Sequence, residues 1–409
     1  MLAVLYLIVS LLTGAALVFL LRPVWENRLK VFEQDGSPSR SSFLLFPASY
    51  LLGTLVLSWI TYFLALAFSA SKRPLTYANL TALPLAAVFI ASVFVMKRSL
   101  IKKWFYNVKK YGLSIRLTRQ EWIILIGSAL FWSFFIYRSL YAEGDILHAG
   151  VSAFSDFGAH FPVIRSFSRG SNFPAQYPHF PDGTMRYHFM FYFMVGNLEY
   201  LGFNLPLAVN LPSILSLVCF SMLLYSLSVA LTKKPLAGLL TCGFFAFRSS
   251  FAFFTYAKGF SGLTGFVNAL AKNLDANGNA REHIGFTLRE SWGLWAQKVY
   301  VNQRHLAFAF GLFLLALFLL LPLFLETVER MKSTGVKPAQ KKRKAAFFPE
   351  YLKSILFSRE AWLPQDYLPC IAAGVILGMM AFWNGAVVIA GISVLFIMAA
   401  LSRHKIEYL

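Results

Sequence analysis

Two short stretches of this chain contain residue types that transfer protons and bind anions. In "SDFGAH", Asp156 and His160 lie four residues apart, so on a helix both side chains share one face. Ser155 precedes them as an expected helix N-cap, and Pro162 limits how far an unbroken helix extends. In "YVNQRHLAFAFGLFLLALFLL" the polar residues 303–305 stand directly before an apolar run. A guanidinium at such a position binds phosphate in bidentate fashion, or extends to lipid headgroups.

The composition indicates that these residues belong to an integral membrane protein. Of 409 residues, 57% are hydrophobic and 14% are charged, which lies outside the range of soluble domains. The net charge is +20, and the positive residues lie in segments between apolar runs. This distribution indicates membrane topology, so no nucleic-acid partner is expected. All three cysteines lie in apolar runs, which makes a disulfide framework improbable.

The apolar runs predict an all-α polytopic protein. A helix needs about 20 apolar residues to cross a bilayer. Nine segments meet this criterion, near residues 2–21, 43–69, 78–96, 121–140, 207–231, 235–256, 305–325, 366–383 and 385–402. The first segment has no basic leader and no clear cleavage site, so we expect a retained span and not a signal peptide.

The basic segments predict how these spans are oriented. Residues 97–119 and 326–365 are rich in Lys and Arg, which places both on the cytoplasmic side. Alternation then puts the N-terminus and the long segments 141–206 and 257–304 outside, most simply across the plasma (inner) membrane. Four regions follow: three spans and a basic loop (1–119), a core with two long outer loops (120–325), a basic cytoplasmic loop (326–365) and a C-terminal pair of spans (366–409). The abrupt end after the last span leaves room for partner subunits or a longer polypeptide.

The first outer segment resembles a known class of membrane enzyme. It contains "SDFGAHFPVIRSFSRGSNFP", then a proline-rich turn, "RYHF", a short amphipathic or half-inserted helix, and "NLPSILSL" at the start of the next span. Over about residues 120–325 this order resembles the GT-C superfamily, polytopic glycosyltransferases that use polyprenyl-phosphate sugars and include protein O-mannosyltransferases and aminoarabinose transferases. The resemblance implies helices along the membrane surface in the outer loop and an active-site acid at Asp156. The chain departs from the family in having three extra spans before the loop and a separate acid, Asp145, where many members have adjacent acids.

The resemblance assigns roles to both stretches. Asp156 would be the general base, oriented by His160, with Asp145 as a second candidate carboxylate. Arg304 and His305 would bind the lipid phosphate, while the isoprenoid lies against the apolar face that follows. Other interpretations stay open: Asp156 as a helix cap, His160 as a packed residue, Asp145 as an interfacial acid, and Arg304 as a residue that extends to headgroups.

Further cationic and aromatic residues are candidates for the same groove. Arg248 lies inside a predicted span, where a charge is costly, so we expect it to face a polar cavity or a carboxylate. Arg186, Tyr187 and His188 either line the groove, with Tyr187 stacked on a sugar, or anchor the start of a helix. The expected partners are membrane lipids, a polyprenyl-phosphate sugar donor and an acceptor glycan, lipid or protein.

The sequence requires no cofactor. The histidines on the outer side lack the paired spacing of a zinc site, although a divalent cation could bind between carboxylates and a lipid phosphate. Two other functions fit the same residues: a transporter or flippase for a lipid-linked or anionic substrate, and a non-catalytic scaffold subunit of a membrane complex.

Overall fold

The architecture comes from a computed structural model. It describes residues 1–29, 39–99, 102, 117–150, 154–180, 183–248, 252–272, 274–280, 295–335, 356–357, 359–364 and 367–408. Most of the two predicted basic loops, 97–119 and 326–365, lies outside these residues.

The described chain is mostly helical. Its helices are α1 Leu2–Leu20, α2 Arg22–Leu29, α3 Ser39–Ala67, α4 Pro74–Met96, α5 Arg119–Ser139, α6 Phe154–Ser168, α7 Met190–Tyr200, α8 Leu205–Thr232, α9 Pro235–Ala246, α10 Ala252–Lys258, α11 Leu263–Lys272, α12 Trp295–Asn302, α13 Leu306–Gly335, α14 Tyr367–Met379 and α15 Gly385–Leu401. A 3-10 helix covers Arg359–Trp362.

Six of the described helices are long and apolar enough to cross a membrane. They are α1, α4, α5 and α8, together with Phe43–Ala67 of α3 and Leu306–Glu329 of α13. Each corresponds to a span predicted from the sequence. The other three predicted spans correspond to shorter apolar helices, namely α9 with 12 residues, α14 with 13 and α15 with 17.

Side-chain caps fix where several of these helices begin. Thr118 and Glu121 form a reciprocal capping box at the start of α5. Asn204 accepts a hydrogen bond from the Leu207 N–H at the start of α8, and Asn384 accepts one from the Val387 N–H at the start of α15. Each cap supplies an acceptor to an N–H that lacks a partner inside its own helix.

The close crossing of α1 and α3 is made possible by glycine. A Cβ on Gly14 would overlap the carbonyl oxygen of Ser49, and a Cβ on Gly53 would overlap that of Ser10. Small residues at a helix crossing let two backbones approach closely, and van der Waals packing then holds membrane helices together. The more buried helices α8 and α13 pack against each other and against α3 in the middle of the bundle.

A short hairpin follows α5, although the sequence predicts an all-α protein. Strands β1 (Leu140–Glu143) and β2 (Ile146–Ala149) pair antiparallel. Gly144 has φ +58° in the two-residue turn, the left-handed region that such hairpin turns require. The hairpin is therefore a local exception in a chain whose described residues are mostly helical.

The short helix α7 occupies a different environment from the predicted one. All residues from Met190 to Leu198 are buried, and α7 packs against α1, α3, α6 and α8. An amphipathic helix on a membrane surface would leave one face exposed. The prediction of an amphipathic helix is therefore wrong for α7, because the surrounding helices cover every face of residues 190–198; a helix along the membrane surface stays a prediction.

Two helix boundaries also differ from prediction. α6 begins at Phe154 and runs through Pro162 to Ser168, so Ser155 lies within the helix and the proline does not end it. α9 ends at Ala246, which places Arg248 beyond the helix. The helix is therefore shorter than the span predicted over 235–256.

The two ends of the bundle contain different parts of the chain. At one end, which we call the site end, Tyr62 of α3 contacts Phe189, and Phe189 contacts Phe382 after α14. At the opposite end, Thr327 of α13 shares a hydrogen bond with Ser402 after α15. The described residues of the predicted outer segment 141–206 thus pack at the site end.

Candidate active site

The corner between α12 and α13 brings together described residues of the two segments predicted to lie outside. Residues 303–305 form this corner, in which the Leu306 N–H donates to the Gln303 carbonyl. The Gln303 side-chain amide donates a hydrogen bond to Oδ2 of Asp156, with 2.9 Å between nitrogen and oxygen. Asp156 lies in the first turn of α6 and is partly exposed. This contact fixes one carboxylate oxygen, and no described residue donates a hydrogen bond to the other.

Arg304 points into the protein and not toward lipid. Its side chain is 3% exposed. The guanidinium donates to Ser139 Oγ at 2.7 Å, to Asn210 Oδ1 at 3.4 Å and to the Val301 carbonyl oxygen. These acceptors are all neutral, and no described carboxylate forms an ion pair with it. The interpretation of Arg304 as a residue that extends to headgroups is therefore wrong.

Arg304 still contributes a positive charge to the site. Burial lowers the pKa of its guanidinium to about 9, so the group stays protonated at neutral pH. It lies 5.5 Å from the centre of the Phe157 ring, the residue next to Asp156. A buried cation acts over a longer range than an exposed one because little water screens it.

Four aromatic side chains pack together near Asp156: His160, His188, Tyr192 and His305. We call them the ring cluster. The His188 and His305 ring centres are 3.9 Å apart, and those of His160 and Tyr192 are 4.7 Å apart. Tyr192 lies 5.8 Å from His305 and 6.1 Å from His188. The rings come from α6, the residues before α7, α7 itself and the corner, so the tertiary structure assembles the cluster.

The histidines of the ring cluster are neutral at pH 7. Burial lowers the pKa of His160 to about 4; the charge of Asp156 opposes this change, and that of Arg304 adds to it. Burial, with a contribution from His160, lowers the pKa of His188 to about 3. Burial also lowers the pKa of His305 well below its ordinary value. Neutral imidazoles can accept as well as donate hydrogen bonds.

Tyr187 lies at the exposed side of the ring cluster. Its side chain is 60% exposed, and its ring centre is 3.6 Å from that of His188. Burial, then the charges of Tyr177 and Asp156, raise the pKa of the Tyr187 hydroxyl. Arg186 is exposed at the preceding position. An exposed aromatic ring beside a carboxylate suits a sugar, whose apolar face can stack on the ring.

Two predicted site residues lie elsewhere. Asp145 is exposed in the hairpin turn, and no described contact joins it to the ring cluster. Arg248 is exposed beyond α9, with its guanidinium 3.5 Å from the centre of the Trp295 ring. The described partner of Arg248 is thus an aromatic ring, and the expectation of a polar cavity or a carboxylate partner stays a prediction.

The described residues do not form a metal site. No group of three His, Cys, Asp or Glu side chains among them is arranged to hold a metal ion. Near the ring cluster, Asp156 provides a carboxylate, whereas Glu199 is engaged by Ser168 and by ion pairs to Arg165 and Arg169. A divalent cation at Asp156 would therefore depend on ligands from a substrate phosphate.

Three contributors to the site were not identified from the sequence. Tyr192 belongs to an unbroken apolar run, and Ser139 and Asn210 lie inside predicted spans. Asn210 also donates to the Leu140 carbonyl oxygen at 2.7 Å, which connects the hairpin to Arg304. A polar residue inside an apolar helix signals an internal partner, and this signal could have identified Asn210.

Comparison of the chain with protein-family models, curated proteins and solved structures finds no match.

Proposed function

We propose that this protein is a membrane glycosyltransferase that transfers a sugar from a polyprenyl-phosphate donor to an acceptor hydroxyl at the outer face of the membrane. The observation that carries the proposal is the hydrogen bond from Gln303 to Asp156. It holds a partly exposed carboxylate where the two outer segments meet, beside a buried cation and neutral histidines. This combination of a base, a positive charge and ring surfaces is what transfer from a lipid phosphate requires.

The proposed reaction is a displacement at the anomeric carbon. The acceptor hydroxyl gives its proton to the free oxygen of Asp156, and its oxygen forms a bond to the anomeric carbon. The bond between that carbon and the donor phosphate oxygen breaks, and the phosphate leaves with the bonding electrons. Asp156 also stabilises the positive charge that develops on the sugar ring.

The cationic residues have different parts in this proposal. Arg304 is buried, and three of its five N–H donors are engaged by Ser139, Asn210 and Val301, so its proposed contribution to the leaving phosphate is a charge acting through space. Arg186, which is exposed next to Tyr187, would contact the phosphate directly. His305, which was expected to bind the phosphate, is 1% exposed and belongs to the ring cluster. The isoprenoid would lie along the apolar helices that begin at the site end.

The proposed topology places the site end outside the cell. Five basic segments, near residues 22–40, 97–119, 233–234, 326–365 and 403–405, would lie in the cytoplasm, as the positive-inside rule requires. This arrangement counts α9, α14 and α15 as spans, which gives nine, and puts the N-terminus outside in the plasma membrane. No metal ion takes part in the proposed reaction.

Substitution of Asp156 by Asn tests the proposal. The amide cannot accept the proton, so transfer from a radiolabelled polyprenyl-phosphate mannose in reconstituted membranes should fall by about 10²- to 10⁴-fold. Asp145→Asn is the matched control, because that acid is exposed in the hairpin turn; it should retain full activity. Both variants should unfold at the wild-type temperature.

Two results would contradict the proposal. Wild-type transfer by Asp156→Asn would show that Asp156 is not the base. Equal losses in Asp156→Asn and Asp145→Asn would indicate a general effect of charge in the outer segment. A transporter is recognised separately by movement of intact donor across proteoliposomes.

A further inference from the structure

α9 carries a row of exposed apolar side chains that ends at an arginine. The row belongs to α9 and the residue after it, at intervals of three or four positions: Leu236, Leu240, Phe244 and Phe247. Residues at this spacing share one face of a helix, and a continuous exposed apolar row marks contact with a membrane or a partner. Arg248 is exposed directly after the row, with its guanidinium over the Trp295 ring. Both residue types are typical of the boundary between a membrane and water.

The chain holds the next two helices close to this boundary. The connection from Arg248 to Ala252, where α10 begins, reaches about 14 Å when fully extended. α11 stays beside α10, because the Tyr256 hydroxyl donates to the Leu274 carbonyl oxygen at 2.7 Å and the Tyr256 and Phe266 ring centres are 6.1 Å apart. Both helices therefore lie near the end of α9.

The side chains of α11 form three rows. One row is buried or half-buried, the second is exposed and apolar, and the third is exposed and polar. In that order the rows are Phe266, Ala269 and Leu270; Leu263, Val267 and Ala271; and Thr264, Asn268 and Lys272. Members of each exposed row are four positions apart, so each row covers one face. Leu263 and Val267 are 77% and 51% exposed, although α10 and α11 already pack together on the half-buried row.

An exposed apolar row beside an exposed polar row fits the boundary between lipid headgroups and acyl chains. A helix lying in this plane places its apolar row in the hydrocarbon and its polar row among the headgroups and water. The short connection to α9 selects lipid as the partner of Leu263 and Val267, because it keeps them near the level where the apolar row of α9 ends.

We propose that α10 and α11 form a membrane-interface anchor, in which Leu263 and Val267 insert into the acyl-chain boundary of the bilayer. Thr264, Asn268 and Lys272 lie among the headgroups in this arrangement. The anchor holds the predicted outer segment 257–304 against the membrane. The inference rests on the proposed placement of α9 in the membrane and does not depend on sugar transfer.

The depth of spin labels in proteoliposomes of phosphatidylethanolamine and phosphatidylglycerol tests the anchor. The full-length chain, with its three cysteines replaced by alanine, receives one labelled cysteine at a time. The labelled positions are the apolar pair Leu263→Cys and Val267→Cys, the matched polar pair Thr264→Cys and Asn268→Cys, and Leu240→Cys as a reference in α9. Collision of each label with oxygen and with a water-soluble nickel chelate gives its depth.

We expect the labels at 263 and 267 to lie about 5–10 Å below the lipid phosphates. The labels at 264 and 268 should lie at the phosphates or in water, and the label at 240 should be the deepest. Photoreactive benzoylphenylalanine tests the same faces in the chain that keeps its native cysteines. In place of Leu263 it should crosslink to phospholipid, and in place of Asn268 it should not.

The remaining outcomes separate the anchor from the proposed topology. If the label at 240 lies in hydrocarbon while those at 263 and 267 meet the nickel chelate as freely as those at 264 and 268, the anchor is refuted and the topology stands. Labels at 263 and 267 that meet neither reagent are covered by protein, which also refutes the anchor. A label at 240 that lies in water refutes both the span at α9 and the anchor.

Discussion

The crossing of α1 and α3 gives the sharpest test of the architecture. Gly14→Ala would place a methyl group 2.7 Å from the Gly53 nitrogen and in overlap with the Ser49 carbonyl oxygen. Ordinary van der Waals contact begins near 3.4 Å, so the two backbones would have to separate by at least about 0.7 Å. The obstacle is backbone, which cannot rotate away as the end of a side chain can.

The energetic cost follows from this geometry. Overpacking of a close-packed interior costs about 1–3 kcal/mol, and a rigid obstacle puts Gly14→Ala at or above the upper end. The same applies to Gly53→Ala, which overlaps the Ser10 carbonyl oxygen. α3 also carries Tyr62, which contacts Phe189 just before α7. Separation of α1 and α3 would therefore also displace the segment before α7, which carries His188 of the ring cluster.

The assay is thermal unfolding of purified variants in one detergent, with Gly127→Ala as the matched control. Gly127 lies in α5, and an added Cβ there meets nothing within 4 Å. Because alanine favours the helix over glycine, the control should be unchanged or up to about 1 kcal/mol more stable. Equal unfolding temperatures for Gly14→Ala and Gly127→Ala would refute the close crossing.

Three other predictions concern the site end. Burial lowers the pKa of His160 from 6.5 to about 4, so between these pH values the unfolded chain binds a proton that the folded chain does not. Folding should therefore lose about 3 kcal/mol as the pH falls through the whole range, of which about 2 kcal/mol falls between pH 7.5 and pH 5; thermal unfolding at these two pH values measures that part of the loss, which should shrink in His160→Gln. Asn197→Ala leaves the buried Asn79 amide without its 2.7 Å partner and should cost about 1–3 kcal/mol in the same assay, whereas replacing both by Leu should cost less than the two single changes together. Gln303→Leu releases the Asp156 carboxylate and should lower kcat in the transfer assay about tenfold at an unchanged unfolding temperature; a wild-type kcat would show that Gln303 does not position the base.

The sequence alone predicted several features of the fold through local composition. Apolar runs predicted the positions of the six long helices, because length and hydropathy decide whether a segment can cross a bilayer. The four-residue spacing of Asp156 and His160 predicted a shared face, and both lie on α6 with the carboxylate acting on the imidazole. The sequence predicted neither the β-hairpin nor the end of α9 after Ala246. At both places contacts with distant segments contribute to the structure, and a local residue pattern does not show such contacts.

Only the tertiary structure decided which polar residues share a site. Gln303 and Asp156 are 147 positions apart, and Arg304 reaches Ser139 across 165 positions. The sequence shows that 303–305 are polar at the start of an apolar helix, but the direction of each side chain depends on what packs around the corner. Residue type determined that this chain has helices apolar enough to cross a membrane and that it contains a carboxylate and a cation near one of them. Packing decided that Arg304 turns inward and that α7 is buried, because both depend on which distant helices surround them.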